Sequence, residues 1–152
     1  MSLRRYAFGV TAAVLTSMAL IVGLGSAKSA RAGIVAGLLI IGIADNLSDT
    51  LGIHLHEEAD AGETKAFSLA VSNYATRLTV VISFVAVVLL LPLPVARVVS
   101  LVWGVAVLST LTYFIAKARS AKPLPEILKH LVIAATVIAL SQLVGVLIAR
   151  TF

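Results

Sequence analysis

Five apolar stretches, each close to the ~20 residues that an α-helix needs to cross a bilayer, leave this chain few architectures to choose from. They run over Tyr6–Leu24, Gly33–Leu55, Val71–Leu91, Val95–Ala116 and Ile127–Ala149. The breaks between them, "GSAKSARAG", "EEADAGETK", "PLP" and "KARSAKPLPE", are polar or rich in proline. Pro125 suits the first turn of a helix, where a missing N–H costs nothing. No break can hold a folded soluble domain. Residues 1–152 are therefore expected to form a single all-α domain, a polytopic membrane protein of five transmembrane helices.

Composition agrees. The chain is 60% hydrophobic and 12% charged, where a soluble domain is about 45–50% apolar even with glycine counted. Arg4 and Arg5 followed by an apolar run look like a secretory signal, but the run exceeds the roughly 7–15 residues of a signal core. It is expected to stay as a spanning helix. A net charge of +5 in so apolar a chain points to lipid headgroups and the bilayer as partner, with no nucleic acid. The absence of cysteine excludes disulfides and thiolate metal ligands.

Orientation follows from the basic residues. With the N-terminus inside, the cytoplasmic segments hold Arg4, Arg5, Lys65, Arg77, Lys117, Arg119, Lys122 and Lys129, and the far side holds Lys28, Arg31, Arg97 and Arg150. Eight against four favours N-in, C-out, in a plasma or inner cell membrane. Gly33 and Gly37 form a GxxxG, and Gly9, Ala13 and Ser17 a second small stripe; both are candidate helix-packing positions.

The stretch "IADNLSDTLGIHLHEEADAGE" carries six of the seven acids and two of the three histidines. At about 100° per residue, Asp45, Asp49, Gly52 and His56 share one face, which Asp60 and Glu63 extend. Asp45 and Asp49 fall at membrane depth, where an ionised acid costs at least about 2.5–3.5 kcal/mol. They are the expected metal ligands on a transport path, with His56, Glu57 and Asp60 at its cytoplasmic mouth. Oxygen and imidazole donors without sulfur suit Fe²⁺ or Mn²⁺, with Zn²⁺ as a third fit. Protons compete for the same oxygens, which makes antiport the expected exchange. A structural alternative pairs one acid with Arg77, read as lying at the cytoplasmic start of the third helix and too far away to satisfy both. Another hydrogen-bonds a protonated acid to Thr11, Thr16 or Asn46.

With "FGVTAAVLTSMALIVGLGSA" leading into "IADNLSDTLGIH", an "LPLP" turn and a final "VLIAR", nearly the whole chain resembles the vacuolar iron transporter family. That resemblance implies a five-helix protomer that dimerises and exports Fe²⁺ or Mn²⁺ in exchange for protons, along a path between the first two helices at the dimer axis. Three departures accompany it. Gly9-Val10-Thr11-Ala12-Ala13 stands where the family carries Gly-Ala-Asn-Asp-Gly with a metal-binding Asp. In the second helix Ser48 and Gly52 match, while Asp49 replaces a metal-binding Met and Ile53 a Glu. The family's cytoplasmic metal-binding helices are missing, leaving only the His54–Glu63 region.

Two further readings are a non-transporting membrane scaffold or regulatory protein, and a zinc membrane hydrolase. The second rests on His56-Glu57-Glu58-Ala59-Asp60, an H-E-x-x-D variant of H-E-x-x-H, with His130 as a third ligand. The expected protein is not an enzyme, and neither a catalytic residue nor a resident cofactor is assigned.

Overall fold

The computed structural model describes residues 4–27 and 29–151, with side chains for 7–27, 29–58 and 62–151. Among them there are helices and no strands. The order is α1 (Arg4–Gly23), a short 3-10 turn (Leu24–Ser26), α2 (Ala30–Ile40), a π turn (Ile41–Asp45), α3 (Asn46–Ala61), α4 (Glu63–Leu90), α5 (Leu93–Ala118) and α6 (Pro123–Thr151). The π turn joins α2 and α3 into one rod, so five helical rods are long and apolar enough to cross a membrane.

The polar break after Leu55 is much shorter than the sequence suggests. Helix runs through it on both sides and reverses at Gly62, whose φ of 82° is a conformation that glycine adopts without strain. As a result α4 starts eight residues ahead of Val71. Its early turns are amphipathic: Ala66 and Ala70 are buried while Glu63, Thr64 and Lys65 are exposed. Tertiary packing along that buried face carries the helix where apolarity alone does not.

α1 is the central helix, and it meets each neighbour at a glycine. Gly9 faces Asn73 on α4, Met18 lies on Gly104 of α5, Gly23 approaches Ser141 and Gly145 on α6, and Leu20 lies on Gly37 of α2. Small residues let membrane helices approach closely where the hydrophobic effect offers no drive. The Gly9/Ala13/Ser17 stripe is buried throughout. Met18, fully buried on Gly104, is a packing residue.

The two GxxxG glycines differ. A Cβ on Gly37 would sit 2.8 Å from a Leu20 methyl, whereas one on Gly33 would find only Leu24 at 4.0 Å. Gly37→Leu is expected to destabilise by about 1–3 kcal/mol through overpacking, and Gly33→Leu by less than about 0.5 kcal/mol. Thermal unfolding of the two variants in detergent reads the difference. Equal costs would mean that α1 and α2 do not meet at Gly37.

On the rod formed by α2 and α3, Ala30, Ile34, Leu38, Gly42 and Asn46 are all buried. A strict four-residue spacing drifts about 40° per step on an α-helix, or about 160° over these four steps. The extra residue of the π turn takes back about 100° of that drift. Both ends of the rod therefore keep a buried face toward the bundle, and Asn46 lands against α4.

Candidate functional site

Arg77 is the centre of the site. It stands in the middle of α4, about 20 Å from either end at 1.5 Å per residue, and is only 1% exposed. Asp45 lies at a similar depth, about 22 Å from Ala30 along the α2–α3 rod. The Arg77 guanidinium donates to both acids, through Nη1 to Asp49 Oδ2 and through Nη2 to Asp45 Oδ2.

Two expectations need correction. A basic group does lie at the depth of the acids, and it does satisfy both of them. The error came from starting the third helix at Val71, which put Arg77 near a helix end; with α4 beginning at Glu63 it is central. The planar fork of arginine has two terminal nitrogens that can serve separate acceptors. Asp45, the last residue of the π turn, and Asp49, four residues on in α3, present one oxygen to each. The charge count by side then drops to seven against four.

The acids sit at the edge of the packed surface. Asp45 is 53% exposed and Asp49 35%. Their face of α3 is turned about 100° from the buried one that carries Asn46 and Thr50. Gly52, on the acid face, has nothing within 4 Å of where a Cβ would be, which leaves this side of the cluster open.

Beneath the acids runs a second polar row, which the helical projection did not single out. Asn46, Thr50 and His54 repeat every four residues on α3 and meet α4 at Tyr74 and Phe67; Asn73 of α4 projects instead against Gly9 of α1. Asn46 Nδ2 donates to the Tyr74 carbonyl at 2.9 Å. Asn46 Oδ1, Thr50 Oγ1, His54 Nδ1, both amide atoms of Asn73 and Arg77 Nε are buried without a protein partner. Each such atom costs about 1–3 kcal/mol if left unsatisfied. His54 Nε2 lies 3.7 Å from Glu58 and its ring meets Phe67 edge-on. The four-residue spacing was visible in the sequence; that this face is turned toward α4 was not.

The remaining candidates are scattered. His56 is exposed and Glu57 half-buried near the Gly62 end of α3; the Asp60 side chain lies outside the described residues. His130 Nδ1 pairs with its own helix at the Glu126 carbonyl, 2.7 Å away. It lines a cleft of about 290 Å³ with Thr11, Arg119 and Glu126. Thr16 and Asn46 bond to backbone carbonyls rather than to either acid. Among the described residues, no three His, Asp or Glu side chains are grouped to hold a metal.

The cluster therefore offers two carboxylates to one guanidinium, a formal charge of −1 at mid-span, on the edge of the packed surface. A divalent ion bound to both carboxylates would compete directly with Arg77. No protein-family model, curated protein or solved structure matches this chain.

Proposed function

We propose that this chain is a multi-pass membrane carrier, oriented N-in and C-out, that exchanges protons for a divalent transition-metal ion at the Asp45–Arg77–Asp49 cluster. The observation that carries this reading is the unequal charge at mid-span. Two acids and one base leave one negative charge that only a proton, a cation or water can compensate at that depth. Arg77 serves as a tethered counter-ion: it holds the carboxylates together when the site is empty and is displaced when a metal binds. The donor set and the resemblance to vacuolar iron transporters favour Fe²⁺ or Mn²⁺ as cargo, moved out of the cytoplasm. His56 and Glu57 stand where they can gather cations at the mouth. The half-exposed Asp45 and the outward row of Leu47, Leu51 and Leu55 support a homodimer closed over this face.

The test uses purified protein in vesicles that hold a metal-quenched dye and a pH dye. Mn²⁺ flux accompanied by protons moving the opposite way is the expected result. Movement of neither ion overturns the proposal. The second reading, a non-transporting membrane protein, draws on the same cluster, because a guanidinium already engaged by both acids is also a staple between α3 and α4. Under that reading the vesicles stay silent while the protein remains folded.

A further inference from the structure

We propose that the seam between α3 and α4 holds a file of water molecules that gives protons and small cations access from the Gly62 end to the Asp45–Arg77–Asp49 cluster. The proposal takes the cluster's role as exchange site from the reading above; the hydration itself rests on packing alone.

Four of the nine buried side-chain atoms without a protein partner lie in this one seam. They come from Asn46, Thr50, His54 and Arg77, and they are ordered along it. His54 is nearest the Gly62 turn, and its side chain is 25% exposed. Thr50 and Asn46 follow, one and two turns deeper on α3. Arg77, 1% exposed, reaches the same depth from α4. Asn73 is turned the other way, against Gly9 of α1, and is not part of the row.

Buried polar atoms in native proteins are nearly always satisfied, and ordered water is the usual partner where protein supplies none. A buried water needs two to four polar neighbours. The four-residue repeat on α3 provides such groups turn after turn. The row ends at Arg77 Nε, on the guanidinium that binds both acids. A continuous file of this kind would explain why uncharged polar groups continue below the cluster on the packed side of α3 instead of giving way to leucine.

The chain has no native cysteine, so single cysteines can be read without background. Thr50→Cys and His54→Cys would be placed in lipid bilayers and exposed to Ag⁺, a small hydrated cation that reacts with thiols in water. Alkylation in denaturant afterwards counts the thiols still free. Val102→Cys on α5 and Val132→Cys on α6, on exposed apolar faces away from the acids, serve as controls. The seam cysteines are expected to react at least ten-fold faster than the controls; a smaller ratio overturns the proposal. Thr50→Cys changes volume little, so it decides the matter if His54→Cys fails to fold. Reactivity does not require transport: silent vesicles with reactive seam cysteines would remove the exchange reading and keep the hydrated path, and the reverse pattern would do the opposite.

Discussion

Arg77→Met is expected to destabilise the protein by about 2–3 kcal/mol, below the ~3–5 kcal/mol of a fully buried ion pair because the two acids left behind are partly exposed. For a chain of this size that corresponds to a fall of roughly 5–10 °C in the unfolding midpoint. Methionine fills nearly the same space, so the loss is one of charge rather than of packing. It leaves Asp45 and Asp49 together at mid-span without a counter-ion, where like charges repel. Arg77→Lys should fall in between, because an ammonium is a point charge without the fork that reaches both acids. The decisive comparison is the triple variant Arg77→Met, Asp45→Asn, Asp49→Asn. Removing the whole cluster removes the stranded charges as well, and its midpoint should return to within about 1–2 kcal/mol of the parent. Far-UV circular dichroism during heating in detergent measures all three. If Arg77→Met melts where the parent does, the guanidinium is not what holds the two acids.

The five spanning helices were legible because length and apolarity are local properties that need no partner to be read. Asp45 and Asp49 stood out for the same reason, as acids in apolar surroundings. Arg77 did not, since its depth depends on where α4 begins. That start is set by the burial of Ala66 and Ala70, a tertiary fact. The π turn escaped for a related reason. The four-residue spacing from Ala30 to Asn46 is an ordinary mixture of small and apolar residues until burial shows that all five face inward. His54 was not among the residues grouped with the acids, since it lies about 180° from Asp45 around the helix. That direction is in fact toward α4, beside Thr50.

Asp45→Asn and Asp49→Asn should each leave the fold standing and stop exchange. The amide keeps the shape and an acceptor oxygen for Arg77, and the remaining carboxylate still balances the guanidinium. Each single variant is therefore neutral at rest, with no negative charge left for a proton or a metal to compensate. A divalent ion would bind one carboxylate against an adjacent arginine, an unfavourable exchange at that depth. Mn²⁺ flux and the opposing proton flux should fall together by at least about 10–100-fold, the loss seen when even an outer partner of a metal ligand is removed. His56→Ala, at the exposed end of α3, should slow loading without abolishing flux, because a mouth residue changes local ion concentration rather than the exchange step. Raising the proton concentration on the loading side should slow the parent, since protons and metal compete for the same oxygens, and should do little to the residual flux of the asparagine variants. A single asparagine variant that carries Mn²⁺ and protons at the parental rate would take the cluster out of the transport path, leaving Asp45, Arg77 and Asp49 as a staple between two helices.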